Sequence, residues 1–192
     1  ELRPADPDPV VLRELFVELE FRQLAEKYTD AAVAAGAVEP KLTVDRTHYV
    51  MVNDPEGVKE LVGTIREHGW VAIHCEASAP DPMRSTLVGI GLAVNPGEAY
   101  YLPFAHSPPG ELQLGGSQEI PNLPGLDDQS MAPLRDLLED PSIRKVGQDL
   151  KHDLVVLWNR GVEPAGLWFD TMVASYVLDP GRRAHTLEAL AL

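Results

Sequence analysis

The sequence predicts an α/β domain built on a mixed five-stranded sheet with helices on both faces. Short apolar segments of strand length alternate with longer segments of helical period along most of the chain. Three strands follow one another closely, which favours antiparallel pairing, and the later strands are separated by helices, which favours parallel pairing. The chain has 192 residues, 44% of them hydrophobic, which is enough for one compact core.

The first forty residues are predicted to lead into this domain from an upstream region. Residues 1–9 carry three prolines among acidic residues, a composition typical of a linker. Val10 to Tyr28 repeats apolar residues at helical spacing and predicts one helix, and residues 30–40 predict a flexible connector. We therefore divide the chain into residues 1–40, a linker with a helix, and residues 41–192, the α/β domain.

The central part of the chain alternates strand and helix signals. Asp54 is a predicted helix cap and Gly69 a helix stop, so a helix is expected between them. Trp70 and Cys75 are predicted to pack in the core, and residues 106–127, rich in Pro and Gly, predict an irregular loop. The strands predicted here are Thr47–Asn53, Val71–Ile73 with His74-Cys75-Glu76 at its end, Leu87–Val94 and Ala99–Phe104.

The last third of the chain predicts strands separated by helices. Gly147 marks a turn between strand and helix, and Asp149 and Asp170 each precede a helical segment and are predicted N-caps. Trp158 and Trp168 are predicted to pack near the last helices. The elements expected here are helices Met131–Glu139, Asp149–Arg160, Asp170–Leu178 and one starting at His185, and strands Ile143–Val146 and Leu167–Phe169.

Acidic side chains stand at strand ends, where α/β sheets gather their ligands. Glu76 ends the first core strand and Asp153 follows the fourth, so we expect the two to converge. Mg²⁺ and Mn²⁺ prefer oxygen ligands, and two such ions about 4 Å apart activate water and stabilise the leaving oxygen of a phosphodiester. Glu76 and Asp153, with Asp149 or Asp170, would supply such a site.

A purely structural interpretation competes with the metal site. Asp149 and Asp153 share one helix face, where like charges repel by a few tenths of a kcal/mol. A bound metal would offset that repulsion, and so would solvation of a cap and a surface acid. His74 fits either a structural histidine at a strand end or a replacement ligand for a softer metal. Spacing alone leaves these alternatives open.

Six segments of the sequence form a specific combined pattern: Val146–Asp153, Phe169–Met172, Ser175–Leu178, Tyr101–His106, Leu138–Asp140 and Leu15–Phe21. Taken together, they resemble the 3′–5′ exonuclease domain of bacterial DNA polymerase I, of the ribonuclease H-like DEDD type. The resemblance runs from about Val10 to Leu192 and implies a ribonuclease H-like fold. In the family, the opening helix joins a preceding flap-nuclease region to this domain.

The resemblance implies a ligand set that this sequence matches in part. Active relatives open with Asp-x-Glu, where the Asp bridges both metals, and here the motif is His74-Cys75-Glu76. Asp153 matches the ligand of the second motif. Asp149 stands where relatives usually carry Asn, and His152 where they usually carry Tyr, so both are weak substrate-binding candidates. The third motif, a Tyr followed four residues later by a metal-binding Asp, is expected beyond Leu192, so the domain is expected to be incomplete at its C-terminus.

A neutral imidazole brings no negative charge and cannot bridge two hard cations. We therefore expect a vestigial or weakly active proofreading domain in a DNA polymerase. Glu76 and Asp153 are its remaining catalytic or metal residues, His74 is a weaker third candidate, and Mg²⁺ or Mn²⁺ is expected only in an active site. The alternatives are a working 3′–5′ exonuclease with an unconventional ligand set, an RNA-trimming enzyme of the ribonuclease D kind, and a purely structural module that positions the polymerase domain.

Composition limits the partners. The chain has 16 basic and 30 acidic residues, a net charge of −14, which excludes a broad basic surface for nucleic acid but not a local, metal-neutralised site. Its one cysteine, Cys75, allows no disulfide within the chain and fits a reducing compartment. No membrane-spanning run or signal peptide is visible. We expect a cytoplasmic monomer that meets a DNA primer–template through a polymerase domain of the same protein.

Overall fold

The computed structural model describes residues 8–19, 21–29, 48–107 and 121–191. The chain divides into two compact units, residues 1–44 and 45–192, which are described separately below. Most of the predicted N-terminal linker, the predicted connector at residues 30–40 and the centre of the predicted 106–127 loop lie outside the described residues.

The described part of the N-terminal unit contains two helices over Val10–Tyr28, where the sequence predicts one. Helix α1 spans Pro9–Glu18 and is capped by Asp8, whose carboxylate accepts hydrogen bonds from two backbone N–H groups of the first turn. Helix α2 spans Arg22–Lys27. The Phe16 and Tyr28 rings lie 5.8 Å apart between centroids. A single straight helix would separate these residues by about 18 Å along its axis, so the break is what lets them pack together.

The second unit alternates strands and helices, as predicted. Its elements in chain order are β1 (His48–Met51), α3 (Pro55–His68), β2 (Trp70–Ala77), β3 (Leu87–Ala93), β4 (Glu98–Pro103), a 3₁₀ turn (Gln129–Met131), α4 (Ala132–Glu139), β5 (Arg144–Gly147), α5 (Leu150–Trp158), β6 (Leu167–Asp170), α6 (Thr171–Leu178) and α7 (Leu187–Leu190).

The six strands form one mixed sheet in the order β1-β4-β3-β2-β5-β6. Strands β2, β3 and β4 are an antiparallel meander, whereas β5 and β6 run parallel to β2, and β1 runs parallel to β4. The α/β prediction is confirmed, but the sheet has six strands in the described part of the chain rather than five. Strand β2 lies at the junction between the antiparallel and parallel halves, where ligand sites of such sheets gather.

Helix α3 illustrates how the sequence builds the core. Asp54 accepts a hydrogen bond from the Gly57 N–H at 2.9 Å, and Gly69 ends the helix at a φ of 71°, both as predicted. The apolar stripe of α3 and that of α4 are buried together with the inner residues of β2, β3 and β4. Cys75 is buried in this core, as predicted.

The predictions for the three tryptophans were wrong. Trp70 is 37% exposed, Trp158 53% and Trp168 62%. Trp168 lies on β6, the last strand of the sheet, and the Arg144 guanidinium lies 5.3 Å from the centre of its ring. A strand at a sheet edge has one neighbour instead of two, so its aromatic side chains lose the cover they have in the middle of a sheet. None of the helices in the described part of the chain is long and apolar enough to cross a membrane.

Candidate functional site

Strand β2 presents the first motif at the centre of the sheet. Alternation along the strand buries Ile73 and Cys75 and turns His74 and Glu76 to the other face. The side chains of His74 and Glu76 are 65% and 58% exposed. Two consecutive polar positions of one strand face therefore stand open to a ligand.

Helix α5 brings Asp153 to the side of β2. Strand β5 pairs with β2 only as far as Ala72, and the chain then turns at Gly147 into α5, which packs against β2. A Cβ at Gly147 would lie 2.9 Å from the Ile73 carbonyl oxygen, so only glycine allows this close passage of β5 into the helix. The Asp153 side chain is 3% exposed, and neither carboxylate oxygen has a hydrogen-bond partner within the described residues.

His74 lies between the two predicted catalytic acids. Its Nδ1 is 3.6 Å from Asp153 Oδ1, and its Nε2 is 4.0 Å from Glu76 Oε2. His152 Nδ1 also lies 3.6 Å from Asp153 Oδ1. The structure thus brings Glu76 and Asp153 to the two sides of one imidazole, with His152 as a further neighbour.

The surroundings of His74 and Cys75 shift the pKa values of both side chains. Contact with the Asp153 carboxylate raises the pKa of His74 above its ordinary value, partial burial opposes that rise, and Glu76 adds to it. Burial raises the pKa of the neighbouring Cys75 thiol well above its usual range, which favours the protonated thiol.

Asp149 does not act as the predicted side-chain cap of α5. It takes a left-handed conformation at a φ of 55°, and its carboxylate makes no capping hydrogen bond. The Asp170 carboxylate caps α5 instead. It accepts hydrogen bonds from the backbone N–H groups of Asp149 at 3.2 Å and Leu150 at 2.7 Å. This contact joins residues about twenty positions apart, so no local pattern in the sequence indicates it.

Asp170 also caps its own helix, as predicted. Its Oδ1 accepts from the backbone N–H groups of Met172 at 2.8 Å and Val173 at 3.1 Å. One carboxylate therefore begins both α5 and α6. With its oxygens turned to four backbone donors, Asp170 holds the helix that carries Asp153 and is not placed as a metal ligand.

The residues present do not fit a pair of hard divalent cations. No group of three or more His, Cys, Asp or Glu side chains in the described ranges is arranged to hold a metal ion. Of the predicted acids, Asp170 is occupied by backbone donors, and an imidazole stands between Glu76 and Asp153. Magnesium and manganese need several oxygen ligands around each ion, which this donor set does not supply.

Sequence comparison finds a matching family model and relatives that agree with it. The family model described as 3′–5′ exonuclease matches residues 49–192. DNA polymerase I of Pseudomonas aeruginosa is 32% identical over 197 aligned positions, which cover 100% of this chain and 20% of that protein. DNA polymerase I of Rhizobium leguminosarum is 34% identical over 172 positions, covering 84% of this chain and 16% of that protein. The chain thus spans about a fifth of the length of these relatives.

Solved structures agree on the fold. The POL domain of Pol1 from M. smegmatis, in complex with DNA primer-template and dNTP, superposes with a TM-score of 0.55 at 20% identity, covering 75% of this chain and 22% of that one. Brucella melitensis NrnC with bound Mg²⁺ gives a TM-score of 0.51 at 22% identity, covering 74% of this chain and 58% of that one. The ribonuclease H-like exonuclease fold predicted from the sequence is therefore confirmed. On the family match and these relatives, the chain belongs to the 3′–5′ exonuclease domain family of DNA polymerase I.

Proposed function

We propose that this domain has lost efficient two-metal hydrolysis and serves as a structural module of a DNA polymerase I-type protein. The observation that carries the proposal is the position of His74, in contact range of both Glu76 and Asp153. An exonuclease of the two-metal kind needs a negatively charged oxygen ligand at such a position to hold two cations about 4 Å apart. An imidazole offers at most one nitrogen lone pair and no negative charge.

The state of Asp153 supports the same proposal. A buried carboxylate without hydrogen bonds is costly unless a cation or a polar group compensates its charge. Here the imidazoles of His74 and His152 both lie 3.6 Å from Oδ1, so two polar protein groups lie close to the same carboxylate oxygen. The acid is thus surrounded by the chain itself.

The relatives suggest the partners of the whole protein. Since the chain spans about a fifth of the length of DNA polymerase I, we propose a polymerase domain in the same protein, through which this module meets a DNA primer–template. A monomer in the cytoplasm is the arrangement that fits this role, and size measurement of the isolated chain would test the monomer.

The activity test compares wild type with His74→Asp, which restores a carboxylate at the position. Each chain, and the full-length parent protein carrying the same residue, is incubated with a single strand of DNA labelled at its 3′-terminal nucleotide, or of RNA in a parallel reaction, and with Mn²⁺. We expect wild type to release mononucleotides no faster than the blank, and His74→Asp to release them faster. His68→Asp adds the same charge at an exposed site at the end of α3 and should leave the rate unchanged.

Metal-dependent release of mononucleotides by wild type, abolished by Glu76→Gln or Asp153→Asn, would overturn the proposal. That result would favour a working 3′–5′ exonuclease with an unusual ligand set. Preference for the RNA strand would instead favour an RNA-trimming enzyme. Calorimetric titration with Mn²⁺ separates the cases further, because we expect no tight divalent site in wild type and a new site in His74→Asp.

A further inference from the structure

A cavity of about 320 Å³ lies beside the end of β4, apart from the site described above. Its volume falls within the range of about 300–1,000 Å³ that small-molecule sites occupy. Leu87, Phe104 and Leu126 supply most of its apolar lining. Asp127 and Arg160 are its two charged residues, and they come from a turn and from the end of α5.

A β-bulge places this cavity on the core side of the sheet. Glu76 pairs with Gly89, and the next β2 residue, Ala77, pairs with Leu87, so β3 has one extra residue at this point. The bulge reverses the alternation of β3. Gly89 keeps the face of Glu76, whereas Leu87 is 3% exposed within the hydrophobic core, against which Ala77 also packs. The cavity is therefore on the opposite face of the sheet from Glu76, and a ligand there would not occupy the candidate exonuclease site.

Hydrogen bonds hold two walls of the cavity in place. The Arg135 guanidinium donates to the carbonyls of Leu126 and Asp128, which fixes the turn that carries the acidic side of the lining. Opposite that turn, Asn159 Nδ2 donates to the Pro82 carbonyl at 2.8 Å and joins the end of α5 to the loop before β3. The cavity is thus formed before a ligand arrives, which lowers the entropic cost of binding.

The two charged residues of the lining have no protein partner. Asp127 and Arg160 are both exposed, and across the described ranges neither side chain makes a hydrogen bond or an ion pair. One cation and one anion beside an apolar surface are complementary to a ligand that carries both charges next to an apolar group. A phosphate ester would instead bring two negative charges toward Asp127, in a chain of net charge −14. The lining therefore favours a zwitterion over a nucleotide.

We propose that this cavity binds a free α-amino acid with an apolar side chain. The ligand side chain packs against Leu87, Phe104 and Leu126, which removes apolar surface of both partners from water. The ligand carboxylate accepts hydrogen bonds from the Arg160 guanidinium, and the ligand ammonium group donates to the Asp127 carboxylate. The site lies on the other face of the sheet from the candidate exonuclease site, so the proposal does not rest on the loss of hydrolysis.

Binding is measured on the 192-residue chain by the changes in backbone amide chemical shifts, with L-phenylalanine as the probe. The amides of residues 86–87, 104–105, 125–127 and 159–160 should shift, whereas those of residues 74–76 should not. Phenylpropionate lacks the ammonium group and phenethylamine lacks the carboxylate, so each should bind about fivefold more weakly, the equivalent of one exposed ion pair. Glycine has no apolar side chain and should bind at least about tenfold more weakly.

Two variants assign the charges. Arg160→Gln should abolish the preference for L-phenylalanine over phenethylamine, and Asp127→Asn should abolish the preference over phenylpropionate. Lys151→Gln is the matched control, because it removes the same charge from the first turn of α5 and should leave both preferences within about twofold of wild type.

Three outcomes would overturn the proposal. L-Phenylalanine could leave the lining amides unshifted up to its solubility limit, or a preference could survive in the variant that should abolish it. Deoxyguanosine monophosphate could also shift the lining amides at a lower concentration than L-phenylalanine does, which would make the cavity a nucleotide site. The hydrolysis assay measures the other face of the sheet, so failure of either proposal is recognised without the other.

Discussion

Removal of the Asp170 carboxylate should cost more stability than removal of any ordinary helix cap. The carboxylate accepts four backbone N–H bonds, two from the start of α5 and two from the start of α6. Each N-cap contributes about 1 kcal/mol, and part-buried donors left unpaired add to the cost, so Asp170→Ala should lower the free energy of unfolding by about 2–4 kcal/mol. Urea unfolding followed by far-UV circular dichroism measures this directly.

Two further variants, Asp170→Asn and Asp54→Ala, provide the comparison for Asp170→Ala. Asp170→Asn keeps one acceptor oxygen, enough for the three donors on Oδ1, and turns an N–H₂ group toward the Leu150 N–H. Asp170→Asn should therefore lower the free energy of unfolding by about 1–2 kcal/mol, less than Asp170→Ala does. Asp54→Ala removes one exposed cap bond to Gly57 and should cost about 1 kcal/mol. If Asp170→Ala costs no more than Asp54→Ala, the double capping contributes nothing and the reasoning fails.

Three further predictions concern charge, backbone and metal. Lys145 is 1% exposed, and burial lowers its pKa to about 8 in the folded chain. Between pH 8 and about 10.5 the unfolded chain therefore binds more protons at this lysine than the folded chain does. The free energy of unfolding should consequently rise with pH across that range. Urea melts across that range should show Lys145→Met losing this rise relative to wild type. Gly166→Ala should lower the free energy of unfolding, measured in urea, by at least about 2 kcal/mol more than Gly161→Ala does. Both glycines have a positive φ, but a Cβ at Gly166 would also lie 2.4 Å from the Ile143 carbonyl oxygen. Mn²⁺ at a hundred times its dissociation constant from His74→Asp should stabilise that variant by about 2.7 kcal/mol. The melting temperature of wild type should not change when Mn²⁺ is added.

The elements that the sequence predicts correctly are those specified by local patterns. The buried alternation of Ile73 and Cys75 is visible in the order of apolar and polar residues, and it places Glu76 on the opposite face from the core. The rule that ligands gather at strand ends then brings Asp153 toward Glu76, and the structure places both beside His74. Local pattern and topology together were enough to predict that Glu76 and Asp153 lie near one another.

The features that sequence reasoning missed depend on distant neighbours. Asp149 precedes a helix and has the right chemistry for a cap, yet its left-handed backbone turns the N–H groups of α5 toward Asp170. The exposure of Trp168 follows from the edge position of β6, which no composition rule reveals. The pairing of Tyr101 with His106 depends on glycine at position 89, whose role appears only when the strands are in register.

A histidine at position 74, between two acids, also affects how the domain holds together without a cation. Carboxylates gathered at one site repel one another and raise the free energy of the folded state until a metal neutralises them. With His74 between Glu76 and Asp153, an imidazole rather than a further anion faces the buried carboxylate. The elements that carry these residues are held by contacts that involve no ion, since α5 is anchored by Asp170 and β2 is held by its pairing with β3 and β5. These contacts are what the proposed structural module would depend on.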